Sequence, residues 1–406
     1  MRLVLSLTVA LVISVATTAQ GYEVGHTSVT YYDPDRGDRS VPTEIYYPAD
    51  AAGDDVPMAS PPPGGFPAVS FGHGYLMNWD LYDYVRDGLV PEGYIVAYPA
   101  TEQVLFPDHL ELGLDLVFVL RELRADGADP ASILYGGVAE KCAAAGHSMG
   151  GGASFLGAAD DPTVSALANL SAADTNPSAI AAAGDISVPA LIFSGGNDCV
   201  APPSDHQIPM YDALASECKT RVTLDGASHC QFAEYSWACS FGEGSCPDPT
   251  ISREAQQALV VTLLKPWLDY ALKDDPYGWL EFSSLLDTTP GVSYAQQCVP
   301  TSVEDATDGT EAGRGVLSLS NAFPNPSRGG SRVVYSLAQP GRVTARIYTL
   351  AGRVVTTLLD EPVGAGTHEL AWDGLDSTGR PVAAGVYCFR VEADGEKENS
   401  AVVLVR

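Results

Sequence analysis

The sequence has few basic residues: 22 Lys and Arg stand against 51 Asp and Glu in 406 residues, for a net charge of −29. Such a surface repels phosphate backbones, so nucleic acid is not an expected partner. Charged residues are only 18% and apolar residues 46% of the chain, which excludes disorder throughout. After residue 20 no apolar run is long enough to span a bilayer. Neither CxxC nor HExxH spacing occurs, so we expect no zinc and no other cofactor.

The first 20 residues are typical of a secretory signal peptide. Arg2 precedes an apolar run from Leu3 to Ala16, and small residues follow up to Ala19, where we expect cleavage. An uncleaved anchor helix is the alternative, but the run is short for a membrane span. Export implies an oxidising compartment, which makes the eight cysteines candidates for disulfides.

Residues 20–299 alternate apolar runs typical of strands with helical patterns. Strands are predicted at His26–Tyr32, Thr43–Tyr47, Ala68–Phe71, Tyr94–Tyr98, Cys142–Gly146, Val164–Leu170, Ala190–Ser194 and Thr220–Leu224. Helices are predicted at Asp108–Arg124, Gly150–Ala159 and Arg253–Lys273. This alternation predicts an α/β domain with a mostly parallel sheet and helices on both faces.

A second, smaller domain is predicted after a break near residue 300. Residues 300–315 are rich in Thr, Asp, Gly and Glu and are interpreted as a linker. Residues 316–406 show only strand-like runs, at Arg332–Leu337, Arg342–Leu350, Arg353–Leu358, His368–Trp372, Gly385–Val391 and Ser400–Val405. Short runs separated by turn signals predict an antiparallel β-sandwich of immunoglobulin-like size.

The segment GHSMGG at residues 146–151 carries the strongest local motif. It fits G-x-S-x-G directly after a predicted strand and at the start of a predicted helix, which is the context that this motif requires. The sharp turn needs small neighbours and exposes the hydroxyl of Ser148, the predicted nucleophile. A glycine-rich helix start with a capping serine is the alternative. His147 is expected to be structural.

A serine nucleophile needs a base and an acid that orients the base. Asp198 follows the strand Ala190–Ser194, and His229 follows the strand Thr220–Leu224, in the chain order Ser, Asp, His. Both lie after consecutive strands, where sites gather in open α/β sheets. The rival acids are Asp174 and Asp205, and the rival base is His206, which follows no predicted strand.

An oxyanion hole needs two backbone N–H donors. Met149, directly after the serine, is the expected first donor. The segment GHGY at residues 72–75 follows a predicted strand, and its glycines let the backbone approach a substrate. The Tyr75 N–H is the expected second donor, with Gly74 as the alternative, unless the segment is only a tight strand exit.

Residues 22 to about 300 resemble an α/β-hydrolase of the dienelactone hydrolase, cutinase, polyester hydrolase and chlorophyllase-like group. GHSMGGG at 146–152 is similar to the nucleophile turn of bacterial cutinases and polyester hydrolases. ALIFSGGNDCVAP at 190–202 and GASHC at 226–230 resemble the acid and histidine segments of the group. GHGYLMN at 72–78 looks more like the oxyanion loop of chlorophyllases.

The resemblance implies a secreted serine carboxylic-ester hydrolase that forms an acyl-enzyme on small or polymeric esters. A chlorophyllase-like or lipase-type esterase, acting on small or lipidic esters, is the alternative. An adhesin with an inactive hydrolase fold is the alternative of another class.

Two departures from polyester hydrolases bear on substrate binding. Where those enzymes commonly carry a Trp that stacks on the substrate, this chain has SAAD at residues 171–174. An insertion at residues 231–249 instead brings Phe232, Tyr235, Trp237 and Phe241. These aromatic residues are predicted to line the acyl pocket or to cap it; the alternative is that they pack within their own loop.

The resemblance also implies a disulfide between the catalytic loops, since some polyester hydrolases carry one in a similar place. Cys199 directly follows the predicted acid and Cys230 the predicted base, so a Cys199–Cys230 bond is expected. The remaining expectations are a Cys239–Cys246 bond within the insertion, Cys218 and Cys298 either paired or free, and Cys142 and Cys388 in strands.

The C-terminal residues carry a second resemblance. AFPNP at 322–326, WDG at 372–374 and GRPVAAGVY at 379–387 resemble immunoglobulin-like modules of the flagellar hook-capping type, which overlap with type IX secretion sorting domains. This implies contact with secretion or surface-attachment machinery, while a passive stabilising module is the alternative.

Overall fold

The computed structural model describes residues 21–298, 317–320, 322, 327, 329–349, 353–393 and 396–404. The predicted signal peptide, the predicted linker and residues 323–326 of the AFPNP segment lie outside the described residues. Within the described ranges, no helix has the length and apolar character needed to cross a membrane.

The larger part of the chain is built on a ten-stranded mixed sheet. Its strands are β1 (Glu23–Asp33), β2 (Arg39–Ala49), β3 (Gly53–Asp54), β4 (Phe66–Gly72), β5 (Ile95–Pro99), β6 (Val138–His147), β7 (Ala166–Leu170), β8 (Ala190–Gly195), β9 (Cys218–Leu224) and β10 (Val292–Cys298). They are ordered β10-β9-β8-β7-β6-β4-β5-β2-β1-β3. Neighbouring strands from β5 to β9 pair in parallel, whereas β2 on one side and β10 on the other join antiparallel.

Helices cover both faces of this sheet. They are α1 (Asp83–Leu89), α2 (His109–Ala128), α3 (Met149–Asp160), α4 (Ala179–Ala182), α5 (Gln207–Ala213), α6 (Trp237–Gly242), α7 (Arg253–Lys273) and α8 (Pro276–Thr288). Successive strand residues point to opposite faces, so Val69 and Phe71 join the core under α1, α7 and α8. Ala68 joins the core under α2 to α5. The sequence predicted this layered arrangement and the helices α2, α3 and α7, but it did not predict α1, α4, α5, α6, α8, β3 or β10.

The long helices begin where their first residues predict. The Asp108 carboxylate accepts hydrogen bonds from the N–H groups of Leu110 and Glu111, which caps α2. Ser252 caps α7 in the same way, through the Ala255 N–H. Helix α7 has the bounds that its pattern predicts, whereas α2 runs one turn beyond the predicted end at Arg124.

The C-terminal part forms two antiparallel sheets around a separate apolar core. Its strands are β11 (Leu317–Leu319), β12 (Ser331–Leu337), β13 (Gly341–Thr349), β14 (Val354–Val363), β15 (Gly366–Trp372), β16 (Gly385–Ala393) and β17 (Glu396–Leu404). The sheet orders are β11-β12-β15 and β14-β13-β16-β17. Buried Trp372, Tyr335 and Phe389 fill the space between them. This is the two-sheet antiparallel architecture that the alternation predicts.

Candidate active site

Ser148 lies on a tight turn between β6 and α3, with φ +53° and ψ −117°. A residue other than glycine is strained in this region of backbone space, and such strain is typical of functional sites. At the neighbouring Gly146 and Gly150 there is no room for a side chain. A Cβ at Gly146 would lie 2.5 Å from the backbone of Gly150, and one at Gly150 would lie 2.2 Å from the backbone of Gly72. The turn that carries Ser148 is therefore packed closely against itself and against the end of β4 at Gly72.

The structure brings the three predicted catalytic side chains into one hydrogen-bonded chain. Nδ1 of His229 lies 2.7 Å from Oδ2 of Asp198, and Nε2 lies 2.9 Å from Oγ of Ser148. A carboxylate only accepts hydrogen bonds, so Nδ1 carries the ring proton and donates a hydrogen bond to Asp198. The lone pair of Nε2 then faces the serine hydroxyl. Asp198 and His229 are both buried, whereas Ser148 is only half-buried.

The Asp198 carboxylate is held by four donors. Oδ2 also accepts from the Ser171 hydroxyl at 2.5 Å, and Oδ1 accepts from the N–H groups of Val200 and Ala201 at 2.9 Å each. Burial alone raises the pKa of Asp198, but the hydrogen bonds from His229, Ser171 and Ala201 outweigh burial and leave the pKa below its usual value. Asp198 is thus an ionised orienting group for the histidine.

The rival acids and the rival base have other partners. Nδ1 of His206 accepts the N–H of Asp174 at 2.8 Å. The Asp174 carboxylate accepts from Ser178, and the Asp205 carboxylate from Ser204. None of these three rivals contacts His229 among the contacts of the described residues.

His147 lies directly beneath His229, the predicted base. Its ring is fully buried, 4.8 Å from the His229 ring. Burial, and then the nearby His229, lower the pKa of His147 well below 6.5, so the ring is neutral. Its Nε2 faces the His229 carbonyl at 3.1 Å and must donate. Nδ1 therefore accepts from the Tyr82 hydroxyl at 3.0 Å.

The Tyr82 hydroxyl decides between the two candidate oxyanion donors. It accepts the Gly74 N–H at 2.9 Å, which occupies that donor. No protein acceptor for the Tyr75 N–H occurs among the described residues. The Met149 N–H is the first of helix α3 and has no partner within the helix. The Met149 and Tyr75 N–H groups are thus the two candidates that remain.

The aromatic residues of the insertion divide into two groups. Phe232 is fully buried and packs in the core beside His147, so its prediction as a substrate-binding residue is wrong. Tyr235, Trp237 and Phe241 are 70%, 74% and 85% exposed, which excludes packing within their own loop. Trp237 and Phe241 are four residues apart on α6 and share its outer face.

The predicted disulfide pairing is wrong. Cys199 bonds Cys246, and Cys230 bonds Cys239, in place of the expected Cys199–Cys230 and Cys239–Cys246 bonds. The loop of Asp198 and the loop of His229 are therefore each joined to the insertion and not to each other. The open Cys218–Cys298 alternative is resolved as a bond that ties β9 to β10, while Cys142 and Cys388 are free thiols.

Two residues of the site had no predicted role. Ser171 follows β7 and supports Asp198 from another loop, and Tyr82 lies just before α1. Both act through tertiary contacts across 27 and 65 residues of sequence. No local motif marks either of them.

Known proteins match two parts of the chain. Residues 20–240, more than half of the 406, match the family described as PET hydrolase-like, and residues 320–397 match the FlgD Ig-like domain. Cutinase est1 of Thermobifida alba is 36% identical over 92 residues, which cover 22% of this chain and 30% of that protein. Cutinase 1 of Thermobifida cellulosilytica is 34% identical over 90 residues, covering 22% and 33%. The chain thus spans about a third of the length of these curated relatives.

Proposed function

Because this chain belongs to the PET hydrolase-like family, we propose that it is a secreted serine carboxylic-ester hydrolase of the cutinase and polyester-hydrolase kind. Membership implies the α/β-hydrolase fold, and the mixed sheet with helices on both faces agrees with it. The proposal depends most on one observation, the hydrogen-bonded chain from Ser148 through His229 to Asp198 at the strained turn.

The proposed reaction begins with attack of Ser148 Oγ on the ester carbonyl carbon. The hydroxyl proton passes to Nε2 of His229, and the ionised Asp198 stabilises the imidazolium that forms. The oxyanion accepts hydrogen bonds from the Met149 and Tyr75 N–H groups. Protonated His229 then gives its proton to the departing alcohol, and water repeats the sequence on the acyl-enzyme to release the acid.

A neutral ring beneath the base favours this cycle. His229 becomes positive at each proton transfer, and a second positive ring 4.8 Å away would oppose that change. Burial keeps His147 neutral, so it does not repel the imidazolium.

We further propose that Tyr235 and the outer face of α6, with Trp237 and Phe241, contact the substrate. Their exposure beside the loop of His229 supports this role, because Cys230 follows that histidine and bonds Cys239 of α6. Secretion is supported by three disulfides, which persist in oxidising compartments. The small domain matches an Ig-like family whose description does not mention sorting. For this domain we propose a role in attachment outside the cell.

The proposed chemistry is tested with Ser148→Ala and a matched control, Ser204→Ala, which changes a surface serine whose hydroxyl donates to its neighbour Asp205. Hydrolysis of soluble p-nitrophenyl esters should fall at least about a thousandfold in Ser148→Ala and stay unchanged in the control. A fluorophosphonate probe should label the wild type and the control but not Ser148→Ala. A wild type that neither reacts with the probe nor hydrolyses esters would favour the inactive adhesin.

A further inference from the structure

The loop between β5 and α2 exposes three consecutive apolar side chains. Val104, Leu105 and Phe106, here called the VLF segment, are 53%, 59% and 87% exposed. Single exposed apolar residues are ordinary on protein surfaces. A run of three, with the Phe almost wholly in water, contributes nothing to the core and favours adsorption or aggregation. Such exposed apolar patches are typical of binding surfaces.

The backbone of this loop is held in place although its side chains are free. One oxygen of the Glu102 carboxylate accepts the Asp108 N–H at 2.7 Å, which closes the base of the loop. The other accepts from the Arg39 guanidinium at 2.8 Å, and Arg39 also bonds the fully buried Asp115. A loop fixed in this way presents its apolar tip without a large ordering cost on binding.

The VLF segment is also tied directly to the candidate active site. The Tyr75 hydroxyl donates to the Leu105 carbonyl at 2.7 Å. The backbone N–H of the same tyrosine is the proposed oxyanion donor. Leu76, the next residue, is 40% exposed and extends the apolar surface from the loop toward the site. Whatever covers the VLF segment therefore lies beside the point where an ester carbonyl is expected to bind.

Charge restricts what can cover it. The chain carries a net charge of −29, and residues 102–108 read EQVLFPD, with two acids and no basic residue. An anionic lipid surface would be repelled. An uncharged surface is not repelled. Among uncharged surfaces, only one made of ester chains would present a substrate to the adjacent candidate active site.

We propose that the VLF segment is an adsorption element that seats the enzyme on an uncharged, water-insoluble ester surface, with the Tyr75 loop against the chains to be cleaved. This rests on the proposed ester hydrolase function. The segment binds the bulk material and takes no part in the chemistry.

The test compares the wild type with the double variant Val104→Ser/Phe106→Ser. Tyr32→Ser is the matched control, because Tyr32 is 62% exposed on β1, four strands from β6 in the sheet order. For each protein the experiment measures kcat/KM on soluble p-nitrophenyl acetate, the partition constant on aliphatic polyester particles, and the rate of particle hydrolysis.

The double variant should keep its activity on the soluble ester and lose about tenfold or more in partition constant and in particle hydrolysis at low enzyme load. Tyr32→Ser should match the wild type in all three measurements. Unchanged adsorption in the double variant would overturn the inference. Binding to vesicles of phosphatidylcholine and phosphatidylglycerol and the oligomeric state are measured alongside. A double variant that loses only vesicle binding, or that turns a dimer into a monomer while its adsorption to polyester is unchanged, would also overturn the inference. Failure of the function itself is separate, since the wild type would then lack activity on the soluble ester.

Discussion

Acid should destabilise the larger domain through His147, the neutral ring beneath His229, the proposed base. In the folded protein this ring is fully buried, and its pKa lies well below 6.5 because of burial first and the nearby His229 second. In the unfolded chain it titrates near pH 6.5. Below that pH the unfolded state binds a proton that the folded state does not bind. Stability therefore rises with pH across this window and falls on acidification.

The size of the effect follows from that single proton. For a group that stays neutral when folded, lowering the pH from 7.5 to 5.5 costs about 1.4 kcal/mol. For a domain of this size the loss is about 2–3 °C in melting temperature. His26 acts in the opposite direction: burial alone would lower its pKa, but the hydrogen bonds that its ring donates to Asp54 and Glu44 outweigh burial and leave the pKa raised. Its stabilisation is present below pH 6.5 and is lost as the pH rises through the raised pKa.

The two contributions are separated by a variant. His147→Gln removes the proton-binding group, so its melting temperature should fall less steeply between pH 7.5 and 5.5 than that of the wild type. The difference should be worth about 1.4 kcal/mol, measured by scanning calorimetry on the catalytic-domain transition. His368→Gln, in the small domain, is the control and should leave this slope unchanged. Equal slopes for the wild type and His147→Gln would refute the conclusion that burial keeps this ring neutral.

Three further outcomes are expected. Tyr82→Phe leaves the Gly74 N–H without its acceptor and His147 without its donor, so calorimetry should show a loss of about 1–3 kcal/mol; an unchanged melting temperature would contradict the contacts. Replacing Cys199 and Cys246 by Ser opens a loop of 47 residues and should cost about 4 kcal/mol, and non-reducing peptide maps of the wild type should show this pair. Truncation at residue 299 should keep activity on soluble esters, because every proposed catalytic residue precedes it; inactivity of the soluble truncated chain would show that the small domain completes the site.

The central strands and the meeting of the three proposed catalytic side chains were predictable because local patterns mark them. Strands β7 (Ala166–Leu170) and β8 (Ala190–Gly195) are short, fully buried runs bounded by turn residues, as central parallel strands are. The acid and base are then found by position, since side chains just after the carboxyl ends of such strands converge. Asp198 and His229 follow β8 and β9 and meet as expected.

The elements at the edge of the sheet lack such patterns. Strand β10 (Val292–Cys298) reads VSYAQQC and has no fully buried residue, so no apolar run marks it. It is held by antiparallel pairing with β9 and by the Cys218–Cys298 bond, both of which are tertiary contacts. Helix α8 begins at a proline and contains Gly278, whose close contact with the α7 backbone is likewise tertiary.

The disulfides show why adjacency in sequence did not predict pairing. Cys199 and Cys230 each follow a proposed catalytic residue, but the chain turns at Cys230 into a short 3₁₀ helix, Cys230–Phe232. That turn buries Phe232, and Cys230 bonds Cys239 in the nearby helix α6. The path of residues 231–249 therefore decides the pairing, and eight cysteines allow 105 pairings from sequence alone.

The insertion now takes the place of the direct bond that was expected between the catalytic loops. The loop of Asp198 is bonded to Cys246, and the loop of His229 is bonded to Cys239, so residues 239–246 form the covalent link between them. Glu243, inside that link, also accepts the Cys230 N–H at 3.0 Å. A direct bond would hold the loops together by itself. Here both bonds are needed, because breaking either one leaves no disulfide path between acid and base. The same segment carries the exposed Phe241, so the tie that holds Asp198 against His229 also fixes part of the proposed substrate-binding face.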